Sequence, residues 1–190
     1  MPKNILIFLR HAETHVDRAQ IISKWVLSMK GQKDALKISN LKFFQDVDII
    51  ISSQEEKAYK TVLPLANKLG KRIQRDEMLN EINRDNGKFL EQEEYIGTMR
   101  KCLTNRAQSF NNWETANSAL VRFSQKIEAI DSKFSNKKLL IVSHGGVINL
   151  FFSKILGKLD KLYNRTLSNT FCDYGIITDG RVTKDIHKSR

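Results

Sequence analysis

Two apolar runs, Ile5-Leu6-Ile7-Phe8-Leu9 and Leu139-Leu140-Ile141-Val142, each end abruptly in a polar loop that carries a histidine. Neither run alternates apolar with polar residues. Each therefore reads as a strand buried on both faces, the pattern of a parallel sheet covered by helices. The loops that follow, Arg10-His11-Ala12-Glu13-Thr14 and Ser143-His144-Gly145-Gly146, then lie at the carboxyl ends of two strands. That edge is where open α/β sheets bind ligands.

Between the two runs the chain alternates. Apolar residues recur at helical spacing through Ala35, Leu36, Ile38, Leu41 and Phe44, which predicts a helix that begins near Ser28 or Gly31. Val47-Asp48-Ile49-Ile50-Ile51 reads as a strand ending at Ser52-Ser53, Glu55 to Leu69 as an amphipathic helix closed by Gly70, and Arg72-Ile73-Gln74 as a further short strand. The segment 76–112 is polar and rich in turn residues, and reads as an irregular, substrate-facing cap. Helical spacing returns from Trp113 to Phe134 and again from Gly145 to Leu156, and Thr170 to Ile186 reads as a hairpin turning at Asp179-Gly180. The expected fold is α/β: a three-layer α/β/α sandwich with a mostly parallel central sheet and an antiparallel edge strand, built as one domain over 1–190.

Composition narrows the class of function. Hydrophobic residues make up 41% of the 190 and charged residues 28%, the balance of a globular chain with a substantial core. Met1-Pro2-Lys3-Asn4 leads into an apolar run too short for a signal peptide or a membrane span, so the expected location is the cytoplasm. Two cysteines, Cys102 and Cys172, form no disulfide framework or metal cluster, although one bridge between them stays open. A net charge of +11 favours anionic partners. The basic residues are scattered, and Lys154 to Arg165, the densest stretch, has the spacing of a solvated helix face. With no zinc-finger, helix-turn-helix or RNP signature, the expected partner is a phosphorylated small molecule rather than nucleic acid or membrane. No heptad or edge device fixes an oligomeric state.

The motifs, taken in order, resemble those of the histidine phosphatase superfamily, the phosphoglycerate mutase-like family, over nearly the whole chain. Its Arg-His-Gly-Glu-Thr opening is similar to Arg10-His11-Ala12-Glu13-Thr14, with alanine for glycine. Its Leu-Thr-x-x-Gly resembles Leu27-Ser28-Met29-Lys30-Gly31, and its Ser-Ser-x-x-x-Arg-Ala-x-x-Thr resembles Ser52 to Thr61. Leu79-Asn80-Glu81, Glu114-Thr115 with Arg122, and Ser143-His144-Gly145-Gly146 complete the set. The resemblance implies a phosphatase that works through a phosphohistidine, with no metal and no cofactor.

The residue types support the same chemistry. An imidazole with a pKa of about 6.5 is largely unprotonated near neutrality and can attack phosphorus, which makes His11 the expected nucleophile. Fixed cations stabilise the phosphoryl oxygens where a kinase uses magnesium; Arg10, Lys57, His144 and the Gly145 backbone are the expected phosphate binders. Glu81 is the expected proton carrier, its pKa raised by neighbouring phosphate oxygens. Blander readings exist: His11 could simply cap a loop, and Glu81 could be solvated. His11, Glu13 and His15 lack the helical spacing of a metal site, Trp25 and Trp113 default to packing, and His187 reads as surface.

Departures from the family are specific. Lys57 replaces an arginine, so a point charge stands in for a bidentate fork. Asp17 stands where many members carry asparagine, beside Arg18 or Lys24 as neutralising partners, and these three form a secondary candidate set. Gly87 follows Glu81 at a longer spacing than usual, so the loop 82–89 is expected to be reshaped. Alternatives are a cofactor-dependent phosphoglycerate mutase and a non-catalytic binder of phosphorylated ligands. Arg84, Lys88, Arg100, Lys101 and Arg106 in the cap suit a multiply anionic ligand or plain exposure.

Overall fold

The computed structural model describes residues 4–187; Met1-Pro2-Lys3, part of the lead into the first strand, lie outside the described residues. Its elements are β1 (Ile5–Arg10), α1 (Met29–Asn40), β2 (Ile49–Ser53), α2 (Glu56–Leu69), β3 (Ile73–Asp76), α3 (Gln92–Thr104), α4 (Ala116–Lys133), β4 (Lys138–Ser143), α5 (Gly145–Ile155), α6 (Leu162–Leu167), β5 (Tyr174–Thr178) and β6 (Arg181–Lys184). The strands form one sheet in the order β3-β2-β4-β1-β5-β6. β3, β2, β4 and β1 run parallel, and β5 pairs antiparallel with β1 and with β6. This is the expected α/β architecture.

The unbroken apolar runs are explained by two cores. Side chains alternate across a strand, so Leu6 and Phe8 of β1 and Leu139 and Ile141 of β4 face one side, where they meet Phe123 and Ile127 of α4 and Ile148 and Phe152 of α5. Ile7, Leu9, Leu140 and Val142 face the other, against Ile38 of α1 and Val62, Leu65 and Ala66 of α2. Both faces are dry, which leaves no place for polar alternation.

Capping follows local chemistry. Ser28 caps α1, its hydroxyl accepting from the Gly31 N–H, and Gly70 ends α2 at φ 62°, a left-handed turn that glycine adopts without strain. The β5–β6 turn uses Asp179 and Gly180 at φ 50° and 71°, as a two-residue hairpin of the mirror-image type requires.

Three expectations need correction. The segment 76–112 is not irregular throughout, since α3 occupies Gln92–Thr104 and packs Tyr95, Met99, Cys102 and Leu103 on the larger core. The stretch from Lys154 to Arg165 is not wholly a solvated face: Arg165 is buried, its guanidinium forked on Asp185 at 2.7 and 3.0 Å and bonded to Ser153 Oγ at 2.9 Å. His187 is half-buried and hydrogen-bonded to Ser168. Cys102 and Cys172 are both free. Among the described residues no helix is long and apolar enough to cross a membrane.

Phe8 is fully buried in an aromatic cluster, its ring 5.3 Å from Phe152, 5.7 Å from Phe151 and 6.4 Å from Phe123. Phe8→Ala should lower stability by about 3–5 kcal/mol in chemical denaturation; a loss under about 1 kcal/mol would contradict this packing.

Candidate active site

Arg10 of β1 pairs with Ser143 of β4 in the parallel ladder, so the next residue on each strand enters the same space. The imidazole centroids of His11 and His144 lie 5.0 Å apart. Around them a cleft of about 290 Å³ is lined by Arg10, Trp25, Lys57, Glu81, Arg84, Tyr95, Gly145 and Asn169, among others. A larger cavity of about 520 Å³ opens on the far side of Glu81 and Arg84. It contains neither histidine nor Arg10 nor Lys57, so the smaller cleft is the site.

The two imidazoles are held differently. His11 Nδ1 lies 2.7 Å from its neighbour's carbonyl, Ala12 O. A carbonyl only accepts, so Nδ1 carries the proton and donates, which leaves the Nε2 lone pair free. The Ala12 N–H in turn donates to Thr61 Oγ1 at 2.9 Å, which anchors the loop on α2. His144 Nε2 lies 2.8 Å from Ser53 Oγ and 3.3 Å from Glu55 Oε1, while its Nδ1 is buried without a partner. Burial, each other's charge and nearby cations hold His11 well below the usual imidazole pKa; for His144 burial leads, opposed by Glu81 and aided by Lys57 and Arg84. Both rings are neutral at pH 7.

Arg10 donates from Nη1 to the Asn169 carbonyl at 2.6 Å and lies 4.5 Å from the Phe171 ring centroid, with its Nε buried and unpartnered. Lys57 is more enclosed than Arg10. Its Nζ is 2.6 Å from both the Ile22 carbonyl and Glu55 Oε2, with both side chains of the Glu55–Lys57 pair at 6% exposure or less. Glu55 also accepts the Glu81 N–H at 2.8 Å. This carboxylate bridges Lys57, His144 and the Glu81 backbone.

Glu81 docks on the amino end of α5. Its Oε2 accepts from Gly146 N at 2.9 Å and its Oε1 from Val147 N at 3.1 Å and Ile82 N at 2.9 Å. A Cβ at 146 would lie 2.4 Å from Glu81 Oε1, so a larger residue there would push the carboxylate off these N–H groups. The sequence motif Glu114…Arg122 has its physical reason here: Arg122 pairs with Glu114 at 2.8 Å and donates to the carbonyls of Met78, Asn80 and Glu81, which fixes the loop that carries Glu81. Burial works to raise the Glu81 pKa but is outweighed by Arg84, His144 and the Gly146 and Ile82 N–H groups, which hold it at about 2. The elevation expected beside phosphate oxygens does not exist in the protein on its own. Glu81 is ionised there because the helix amino end and Arg84 stabilise the charge.

Arg10, His11, Lys57, Glu81, His144 and Gly145 thus converge on one cleft. The secondary set does not. Asp17 Oδ1 accepts from Ala19 N, Arg18 pairs with Glu91 at 2.8 Å across exposed surface, and Lys24 is exposed. Glu13 instead braces α1, accepting from Ser28 Oγ at 2.8 Å, and its carbonyl would lie 2.0 Å from a Cβ at Gly31. His15 is exposed, and among the described residues no group of three or more His, Cys, Asp or Glu is placed to hold a metal ion. Sequence reasoning misses Glu55 and Asn169, and it does not separate Arg84 from the other cap cations. Glu55 lies inside the Ser52–Thr61 motif, so a carboxylate two residues before its cation was the available signal.

The burial of neutral imidazoles makes stability pH-dependent. Below about pH 6.5 unfolded His11 and His144 bind protons that the folded rings do not, so stability falls as pH drops through that point. Glu81 adds a second loss: its folded pKa of about 2 lies below the ordinary carboxylate value near 4.5, so its contribution fades as pH falls from about 4.5 toward 2. Denaturant midpoints should decline in these two windows. A midpoint unchanged from about pH 7 to 5 would contradict the buried neutral rings.

Comparison with known proteins identifies the fold and the family. The sequence profile of the histidine phosphatase superfamily (branch 1) matches residues 6–183. No curated protein matches the chain. Among solved structures, a mycobacterial glucosyl-3-phosphoglycerate phosphatase superposes with a TM-score of 0.80 at 16% identity, covering 97% of this chain and 98% of that one. A mutant phosphoserine phosphatase from Entamoeba histolytica, in complex with phosphoserine, gives 0.78 at 20% identity, covering 95% of each chain. Bacillus stearothermophilus YhfR gives 0.78 at 20% identity, covering 98% of each. These likenesses establish a shared fold, and the profile match over nearly the full length places the chain in branch 1 of the histidine phosphatase superfamily.

Proposed function

We propose that the chain is a phosphomonoesterase of small metabolites that forms a phosphohistidine on His11, acting as one domain over 1–190 with 76–112 as its cap. One observation carries this reading: His11 presents an unprotonated Nε2 into a cleft where His144, Arg10 and Lys57 converge. The cleft's size, about 290 Å³, suits a small phosphorylated molecule. The glucosyl-3-phosphoglycerate and phosphoserine phosphatases among the structural neighbours act on substrates of that class.

His11 Nε2 attacks phosphorus, and the bond from phosphorus to the ester oxygen breaks. Arg10, Lys57 and the His144 Nδ1 side hold the phosphoryl oxygens, with the α5 amino end behind Gly145 adding its dipole. The leaving alkoxide needs a proton. A phosphoryl dianion beside Glu81 raises that carboxyl's pKa from its value in the protein alone, so Glu81 gains the proton only with substrate present and passes it to the alkoxide. The resulting carboxylate then takes a proton from a water whose oxygen bonds to phosphorus as the phosphorus–nitrogen bond breaks, which frees His11 and releases inorganic phosphate. No metal or cofactor takes part in this reaction scheme. Two unpaired cysteines suit the reducing cytoplasm proposed as its location.

His11→Ala should abolish turnover of an aryl phosphate, and acid-labile phosphoryl label should be trapped on the native chain but not on the variant. Retained turnover would reject the nucleophile. Trapping also separates an enzyme from a non-catalytic binder, a reading motivated by the altered positions Lys57 and Asp17, of which Asp17 lies outside the cleft. A second expectation concerns Glu55, which holds Lys57 in a buried ion pair. Glu55→Gln keeps the side chain's shape and frees the ammonium, so orthovanadate should inhibit about tenfold more tightly. Weaker inhibition would mean that Lys57 does not reach the anion.

A further inference from the structure

The cap carries five candidate cations, and four turn away from the cleft. Lys88, Arg100 and Lys101 are exposed, and Arg106 donates to the Leu159 carbonyl at 3.1 Å. Arg84 alone points inward. Its side chain is 10% exposed and lines the cleft beside Glu81, Tyr95 and Met99. The guanidinium lies 5.2 Å from the Trp113 ring centroid and 5.5 Å from that of Tyr95, so its faces are covered and only edges remain for polar partners.

Those edges are underused. Nη1 donates to the Tyr95 hydroxyl, Nη2 comes no closer than 3.6 Å to Glu81 Oε2, and Nε is buried with no partner. A guanidinium offers five donors in a rigid fork, and burying it without full pairing is costly. Glu81 meets the need only in part, because its two oxygens are taken up by the N–H groups of Ile82, Gly146 and Val147. The position therefore calls for another anion, and of the two larger cavities that Arg84 borders the cleft is the one beside His11, His144 and Lys57.

We propose that Arg84 is a second anion site, receiving a carboxylate of the substrate while the phosphoryl group sits among His11, His144, Arg10 and Lys57. This rests on the phosphatase reading and narrows its substrate class to short phosphomonoesters that carry a carboxylate. A planar carboxylate matches the guanidinium edge, and the small cleft keeps the two charged ends of such a molecule close together.

The site also bears on proton transfer. Glu81 faces Arg84 and His144, with Arg10 and Glu55 nearby and the α5 N–H groups on its oxygens. A substrate carboxylate on Arg84 offsets one of the cations that keep Glu81 ionised. A substrate with both anions then favours the protonated Glu81 that expulsion of the alkoxide requires.

The test uses two ester pairs that differ at one carboxylate: phosphoserine against phosphoethanolamine, and 3-phosphoglycerate against glycerol 3-phosphate. In the native protein kcat/KM should favour the carboxylated member of at least one pair by about 30-fold, the size of one charge-assisted contact in a dry site. Arg84→Gln should reduce that ratio to within about threefold, and Arg84→Lys should restore part of it. Ratios near one for both pairs in the native protein, or a ratio that survives Arg84→Gln, would overturn the site. Native ratios decide the matter even if the glutamine variant does not fold. Equal hydrolysis of all four esters sinks this inference alone, whereas no hydrolysis of them or of an aryl phosphate sinks the phosphatase reading together with it.

Discussion

The parallel pairing of β1 with β4 is the contact on which the site depends. Its register aligns Arg10 with Ser143, and the backbone hydrogen bond from His11 N to the Ser143 carbonyl, 2.9 Å, extends that alignment by one residue. Two histidines separated by 132 intervening positions in the chain thereby come within one ring's width of each other. A slip of one residue would turn every side chain on β1 to the opposite core, and the two dry faces of Leu6 and Phe8 against Ile7 and Leu9 forbid it. Hydrophobic burial on both sides of the sheet thus fixes how the two imidazoles meet.

On that frame the site balances charge rather than accumulating it. Lys57 is met by Glu55, Arg84 is partly met by Glu81, and Glu81 is met by the amino end of α5. Arg10 keeps an unpartnered Nε and His144 an unpartnered Nδ1. In a low-dielectric cleft an uncompensated charge is expensive, so the buried cations of the cleft are held against carboxylates. Such pairing also preorganises the donors, because they need not be gathered when the phosphoryl group arrives. Arg122 gives the matching structural support by tying three carbonyls of the Glu81 loop to one rigid fork.

Much of this was legible before folding was considered. The motifs around His11 and His144, Ser52 to Thr61, and Glu114 with Arg122 each map onto an interaction that positions the cleft, since they combine residue types with narrow geometric uses. Legibility failed where exposure decides meaning. Arg84 is one of five similar cations in its segment, and nothing local separates it from Lys88 or Arg100; packing against Trp113 and Tyr95 does. Asp17 sits within a motif-like stretch, yet its carboxylate serves the local turn at Ala19. The helix α3 was hidden because only Cys102 and Leu103 in it are fully buried and Gly97 interrupts its propensity on an open face.

By itself, the order of residues determined the alternation of strands and helices, the buried parallel core, and the placing of both histidine loops at strand ends, because periodicity and turn chemistry are local properties of the chain. Tertiary structure alone decided which charges face the cleft and what holds them. Glu55 lies on Lys57, Glu81 is ionised on the amino end of α5, Arg84 turns inward and Arg165 is buried on Asp185. The reason is that a side chain's charge state and partners depend on burial and on neighbours distant in sequence, and neither is encoded by any short stretch of residues.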